Sequence, residues 1–468
     1  VNESLFPDLA RFIRQAHARQ VRVMLNDHPE PKGKSALDPE ELKFRRDGLV
    51  LLLEQGVDVW WFDRNWHTHL PAPAPGLEKE VWGMRPYRDV VRDFRPDRRP
   101  LILSNADGIN NGRRDAPSHP AAHRFPVWWT GDTCAEWNYL RLGVGNAVNS
   151  GIDSLLPFVH DDLGGHHGQP DPELYVRFMQ FGAFSPVARI HCTTQVHRYP
   201  WAYGADVARI VGDYFRLRYR LLPTLYSAAH EAHRTGTPLL RRCDLEWPEF
   251  PEAADPLQYL LGADLLVAPI MGPARGGGIA ERTVWIPPGE WRDLWSGTTH
   301  RGPAVVGVRC RLNEVPLFVR LGGILLTCPQ RQSTGNAEWP ELTVEAFVSN
   351  DERVRTRWLY EDDGISMACE RGECTETEFQ LGRNDERIEL NVAPSPRPRS
   401  LVLRFHLPMG PAFGQSGSRV LVPAQARPEI VLRGLGELPP PAAGSVLEWH
   451  CELEANERGR FWLDRFQN

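Results

Sequence analysis

Short apolar runs that end in an acid constrain this chain more than any other feature of it. Three of them read Val57-Asp58-Val59-Trp60-Trp61-Phe62-Asp63, Val127-Trp128-Trp129-Thr130-Gly131-Asp132 and Phe158-Val159-His160-Asp161-Asp162. They belong to a series of apolar runs at 21–25, 57–62, 100–103, 125–129, 154–159 and 186–190. Each run is short, carries β-branched or aromatic residues, and is separated from the next by helix-compatible sequence. The stretch 5–19, with apolar residues at 5, 9, 12, 13 and 16, is one such helical pattern. The alternation predicts βα units around a parallel sheet. Parallel strands buried on both faces read as continuous apolar runs, so an acid in last place lies at the carboxyl edge of the sheet. In a (β/α)8 barrel that edge carries the active site. The competing role for each aspartate is to cap the helix that follows.

Six runs are two short of a closed barrel. The expected fold is therefore α/β: an N-terminally incomplete (β/α)8 TIM barrel over residues 1–236, followed by two all-β domains. A helical stretch at 207–232 closes the barrel part. After Thr235-Gly236, proline and glycine become frequent and short alternating segments appear, as at 282–286 and 316–319. That pattern predicts a proximal β-sandwich over 237–330 and a distal β-domain over 331–468. A length of 468 residues agrees with two or three domains.

Composition removes several function classes. The net charge of -6 is spread along the chain, with no basic stripe for nucleic acid and no polybasic patch for a membrane surface. No apolar run approaches the roughly 20 residues that span a bilayer. The eight cysteines show neither C-x-x-C spacing nor nearby histidine clusters, so most are expected free, which leans towards a reducing compartment. The chain opens at Val1 and enters a helical pattern almost at once. We expect its own N-terminus to be missing, so the lack of a signal-like region says nothing about export.

The acid-ended runs and their neighbours resemble glycoside hydrolase family 31, nearly end to end. Leu5-Phe6-Pro7-Asp8 and the run at 21–29 are similar to the family's third barrel strand and the helix before it. Gly56 to Asp63 resembles the nucleophile strand, and Arg124 to Asp132 resembles the acid/base strand, with Trp137 downstream. Asp162-Leu163-Gly164-Gly165 resembles an Asp-Ile-Gly-Gly motif, and the stretch 173–191, with Arg177, Gln180, Arg189 and His191, resembles the last barrel segment. Gly262 to Pro269, Ile286 to Trp291 and Leu359 to Gly364 follow in the family's order. The resemblance implies a barrel, a proximal and a distal β-domain, and a retaining exo-acting α-glycosidase. It also implies that the usual N-terminal β-sandwich and first two strands are absent from the sequence given.

Retention needs a carboxylate at the anomeric carbon and an acid at the leaving oxygen, roughly 5–5.5 Å apart. The resemblance assigns the first role to Asp63 and the second to Asp132. Trp128 and Trp129 adjoin Asp132 in sequence and are expected to desolvate it. By the same resemblance Arg189 and His191 close the sugar pocket, and Trp61 and Trp129 are expected to bind substrate. His160 and Asp162 either contact substrate or anchor the Gly164-Gly165 loop. Asp27 and His28 follow the first run and are expected at the barrel mouth. Arg124 is expected in a buried ion pair. No metal or organic cofactor is implied, because two carboxylates suffice. The partner expected is an α-glycoside or oligosaccharide, with no nucleic acid or membrane.

Three departures bear on the sugar. Trp66 stands where glucosidase members carry an acidic residue, and it and His67 either line the pocket or fill a loop. A longer loop with Arg113-Arg114 replaces the family's sugar-binding arginine, and His166-His167 replace an aromatic residue after the paired glycines. Hydroxyl-binding groups discriminate strongly because a mismatched sugar leaves buried polar groups unpaired. Glucose and xylose therefore stand beside galactose and N-acetylgalactosamine as candidates. The alternatives to hydrolysis are a transglycosylase of the same fold and an inactive carbohydrate-binding protein.

Overall fold

The computed structural model describes residues 1–28, 38–63, 75, 79–125, 127–335, 337–383, 387–407 and 446–464. The first part alternates as its sequence predicts. Helix α1 (Leu9–His17) starts where Asp8 accepts the Arg11 N–H at 2.8 Å. It leads to β1 (Met24–Asp27), α2 (Pro39–Glu54), β2 (Val59–Phe62), α3 (Lys79–Phe94) and β3 (Ile102–Asn105). A two-residue-per-arm hairpin, β4 (Ile109–Asn110) and β5 (Arg113–Arg114), precedes β6 (Val127–Trp129), α4 (Trp137–Asp153), β7 (Val159–His160) and α5 (Pro172–Ala183). Strands β1, β2, β3, β6 and β7 pair in that order and in parallel.

Register decides which side chains enter the barrel. Trp60, Phe62, Ile102, Trp128 and Val159 pack with Leu49 and Leu53 of α2 and Met84 and Tyr87 of α3, so they face the helices. Trp61, Leu103 and Trp129 form a separate cluster and face inwards. Asn26 is in register with Trp61 and Asp27 with Phe62. Since side chains alternate along a strand, Asn26 shares the inner face and Asp27 the outer one.

Two sequence expectations are corrected. The run at 186–190 forms no ladder strand; its Arg189 carbonyl accepts the Leu163 N–H at 3.0 Å. Pro186 has no N–H to give a ladder. The helical stretch at 207–232 is two helices, α6 (Ala205–Arg220) and α7 (Leu222–Thr235), broken at Leu221. Pro223 is the cause: inside one continuous helix its ring would meet the carbonyl four residues back, whereas in the first turn of a new helix it is tolerated. Gly236, at φ +79°, then ends α7 in a left-handed cap.

Strands β8 (Leu240–Arg241), β9 (Tyr259–Leu261), β10 (Leu265–Val267), β11 (Ala280–Asp293), β12 (Thr299–Cys310) and β13 (Leu317–Arg320) build one six-stranded sheet in the order β12-β11-β13-β10-β9-β8. Its layer partner on one face is helical: Leu261, Leu265, Val267, Leu317 and Val319 share a core with α5 and α6. Buried Arg177 of α5 fastens the two parts by donating to the carbonyls of Glu314 at 2.7 Å and Arg311 at 3.2 Å, while Gln180 donates to that of Leu312 at 2.9 Å. The last part holds two four-stranded sheets around a common core. One is β14 (Ile324–Thr327), β15 (Glu341–Phe347), β19 (Arg399–His406) and β20 (Val446–Leu453). The other is β16 (Arg355–Glu361), β17 (Thr375–Arg383), β18 (Arg387–Val392) and β21 (Gly459–Asp464). All eight cysteines are unpaired. No helix among the described residues is long and apolar enough to cross a membrane.

Candidate active site

The mouth of the parallel sheet is built from the first residues after each strand. Asp63 follows β2 and is buried. Its N–H donates to the Asp27 carbonyl at 2.9 Å, which continues the β1–β2 ladder by one residue. Its Oδ2 accepts from Asn26 Nδ2 at 3.2 Å and lies 3.1 Å from His28 Nε2. Sequence reasoning chose Asp27 and His28 at this corner and missed Asn26. The structure places the Asp27 carboxylate on the helix side, where it accepts the hydroxyl proton of buried Tyr87. The signal that finds Asn26 is the strand alternation itself, since it is the register partner of inward-facing Trp61.

Asp132 is half exposed and stands three residues past β6. Its N–H donates to Asn111 Oδ1 at 3.1 Å, so the β4–β5 hairpin holds the loop that carries it. Gly131, at φ +91°, is required there: a Cβ would lie 2.7 Å from the same Asn111 oxygen. The hairpin arginine Arg114 turns away from the mouth to Asp153 and to Ser150 Oγ at 2.9 Å. Arg124 is exposed rather than in a buried pair. Trp128 cannot desolvate Asp132, because it faces the helices and donates its indole proton to the Phe125 carbonyl at 2.9 Å. Trp129 is the inward member of that pair.

Between the two aspartates lies a buried cationic and aromatic cluster. The Arg189 guanidinium carbon is 4.5 Å from the Trp61 ring centre and 5.0 Å from that of Trp129, and the two indoles meet edge to face at 5.0 Å. Arg189 Nε donates to His160 Nε2 at 2.9 Å, and its Nη2 pairs with Asp162 Oδ1. Burial lowers the Arg189 pKa from its ordinary value, opposed by the charges of Asp162, Asp161, Asp63 and Asp132. All four acids therefore act on one guanidinium. Burial, helped by Arg189, drives His160 far below its usual range, so its ring is neutral. His191 meets Trp61 edge to face at 4.9 Å and is lowered by burial.

Asp161 carries a different role from its neighbour. Its Oδ1 accepts from Thr130 Oγ1 at 3.0 Å, Thr133 Oγ1 at 2.9 Å and the Asp162 N–H at 2.8 Å. Burial, with the Asp162 charge adding to it, pushes Asp161 up to about 7 despite those donors. The sequence set it among the strand-end acids without assigning it a task.

The histidines after the paired glycines enter the site. Ala135 N–H donates to the His167 carbonyl at 2.8 Å and His167 N–H to that of Thr133 at 2.9 Å, which pins the loop against the Asp132 segment. Buried Arg198 holds the loop from behind through the carbonyls of Gly165 at 2.7 Å and Gly168 at 2.6 Å. Gly165, at φ +82°, is needed because a Cβ would lie 2.4 Å from the Ala135 nitrogen. His166 Nδ1 consequently sits 3.4 Å from Asp132 Oδ1 and 3.6 Å from Asp162 Oδ2. Asp162, then the Asp132 charge, raises His166 against the effect of its burial. Trp66 lies outside the described residues.

The arrangement offers two carboxylates past the ends of β2 and β6, which flank β3, one buried and one half exposed, with indole rings, imidazoles and a guanidinium nearby. Residues 37–228 match the Glycosyl hydrolases family 31 TIM-barrel domain and residues 236–325 the Glycosyl hydrolase family 31 C-terminal domain. The chain is 33% identical over 271 residues to alpha-glucosidase 2 of Bacillus thermoamyloliquefaciens, covering 57% of this chain and 33% of that protein. It is 29% identical over 253 residues to an alpha-xylosidase of Saccharolobus solfataricus, covering 53% of this chain and 33% of that protein. The GH31 dextranase of Flavobacterium johnsoniae superposes with a TM-score of 0.76 at 23% identity, over 97% of this chain and 60% of that one. This chain spans about a third of the length of these curated relatives.

Proposed function

This chain belongs to glycoside hydrolase family 31, and from that premise we propose that it carries the catalytic centre of a retaining, exo-acting α-glycoside hydrolase. Asp63 is the nucleophile and Asp132 the general acid/base. The observation that supports this reading most directly is that Asp63 and Asp132 stand past the carboxyl ends of two strands of one parallel sheet, with inward-facing Trp61 and Trp129 meeting edge to face at 5.0 Å beside Arg189.

Hydrolysis proceeds in two displacements. Asp132 protonates the leaving oxygen while Asp63 attacks the anomeric carbon, which gives a glycosyl-enzyme. Asp132 then takes a proton from water as that water attacks the same carbon, and Asp63 leaves. Each residue's surroundings suit its part. Asp63 is buried, with Asn26 Nδ2 at 3.2 Å and His28 Nε2 at 3.1 Å from its Oδ2, which holds the carboxylate in one orientation. Asp132 is open enough to exchange protons with leaving group and water. Trp61 and Trp129 cluster on the inner face of the sheet with Leu103 and provide apolar ring surface for a sugar at its mouth. His160 is held by Arg189 and acts as a support, whereas His191 packs edge to face on Trp61 and is only partly buried.

The sugar is glucose, xylose, galactose or N-acetylgalactosamine. His166 beside Asp132 favours a group near the acid/base that a glucosidase lacks, so the galacto-configured sugars are included in the test. The full gene product carrying this chain is assayed on the 4-nitrophenyl α-glycosides of all four sugars, beside Asp63→Ala. Release from one sugar, absent in the variant and with the α-anomer formed first by NMR, is the expected result. A folded protein that releases nothing from any of them excludes simple exo-hydrolysis; first formation of the β-anomer excludes retention.

A further inference from the structure

We propose that the barrel mouth binds one divalent transition-metal ion through Asp162, His166 and His191. One carboxylate oxygen of Asp162 and one ring nitrogen each of His166 and His191 lie within 4.8 Å of one another. The pair given by a direct distance, His166 Nδ1 to Asp162 Oδ2, is 3.6 Å apart. Two ligands on a tetrahedral ion with bonds of about 2.0–2.2 Å stand about 3.4 Å apart, so that edge needs almost no adjustment.

A second observation points the same way. Asp162 is fully buried, and its Oδ1 is taken by Arg189. Its Oδ2 is buried and accepts no hydrogen bond from the described residues. A buried carboxylate oxygen without a donor is rare in a folded protein and marks a place for a missing partner. The surrounding shell is the kind that steadies a metal ligand. Arg189 fixes the Asp162 carboxylate and is itself fixed by His160, while the Gly165 loop is clamped to residues 133–135.

The donor set selects the class of ion. Two imidazoles and one carboxylate suit zinc, copper, nickel or cobalt, whereas magnesium and calcium prefer all-oxygen sites. Three protein ligands leave a fourth position open, and Asp132 lies 3.4 Å from His166 Nδ1. A second triad, Asp132 with His166 and His167, shares the central histidine, but His167 is exposed and Asp132 half exposed. The inner triad is the preorganised one. An ion there occupies His191 and Asp162 and so inhibits glycoside cleavage. That consequence rests on the proposed function; the binding itself does not.

The test is optical titration with cobalt(II) of the full gene product made without a polyhistidine tag, in a buffer that does not chelate. One cobalt per chain is expected, with a visible band that zinc displaces and that excess magnesium or calcium leaves in place. His191→Gln and His166→Phe should each weaken binding by about 10-fold or more, and His167→Gln should leave it unchanged. No bound cobalt, or His191→Gln binding as the parent does, overturns the proposal. Loss in His167→Gln with retention in His191→Gln also overturns it, in favour of the outer triad. Thermal melting checks that each variant is folded; if His166→Phe is not, His191→Gln alone decides. Because the readout is the metal's own spectrum, a protein inactive on every glycoside still shows whether the ion binds.

Discussion

Replacing Asp161 by asparagine should make the protein more stable at pH 8 and leave it unchanged at pH 4. Asp161 is buried beside Asp162, and its pKa rises from an ordinary 3.8 to about 7. A raised carboxyl pKa means that the folded state holds a proton the unfolded chain has released. Stability from this group is therefore complete below about pH 4, falls as pH rises to about 7, and is flat above. One pKa unit corresponds to 1.36 kcal/mol, so the shift of about three units is worth roughly 4 kcal/mol at most. Asparagine has nearly the same shape. Its carbonyl can accept from Thr130, Thr133 and the Asp162 N–H as Oδ1 does, while its amide takes the place of Oδ2, which accepts nothing. The variant keeps the hydrogen bonds and loses the charge. Thermal midpoints of parent and variant, scanned at one rate from pH 4 to 8, measure the difference. For a unit of 150–250 residues about 2–4 °C accompanies each kcal/mol, so the gap should open from near zero to as much as about 8–16 °C. An equal gap at both ends of the range, or a variant less stable than the parent at pH 8, would refute the assignment of a buried, protonated Asp161.

Three further outcomes are expected. Gly131→Ala forces a Cβ to 2.7 Å from Asn111 Oδ1 at a positive φ, which moves Asp132; kcat should fall about 100-fold while circular dichroism stays that of the parent. Arg189→Met leaves Asp162 buried without its cation and should cost about 3–5 kcal/mol, measured in urea at pH 7. Arg177→Met strips donors from the part-buried carbonyls of Arg311 and Glu314, and should cost about 1–3 kcal/mol in all. Hydrogen exchange should report that last loss at the contact between α5 and the six-stranded sheet rather than at the barrel mouth.

Much of the fold is legible in the sequence alone. A strand covered on both faces must be apolar throughout, so Val59–Phe62 and Ile102–Asn105, buried at every position, stand out as runs. The break at Pro223 is a local consequence of one ring, but the helical spacing on either side of it reads as one continuous helix. The run at 186–190 misleads because its composition is that of a strand, while ladder pairing depends on a neighbour elsewhere in the chain. Among site residues, Asp63, Asp132, Trp61, Trp129, Arg189, His191, His160 and Asp162 do come together at one mouth. Asp27 shows the limit of a linear reading: it was placed by its distance from a run, and one residue of register puts it on the opposite face from Asn26.

What the sequence determined by itself is local or periodic: which runs are strands, where acids terminate them, and which glycines and prolines punctuate them. These follow from backbone sterics and from the spacing of apolar residues, and neither needs a partner. Only the tertiary structure decided that Asp161 is raised to about 7, because the burial that raises it most comes from segments far apart in the chain, although the charge that adds to it is that of its sequence neighbour Asp162. It alone set His166 between Asp132 and Asp162, since a loop clamped by Arg198 and residues 133–135 fixes that position. Electrostatic and metal-binding character depend on distances across the fold, and a linear order of residues carries no such distances.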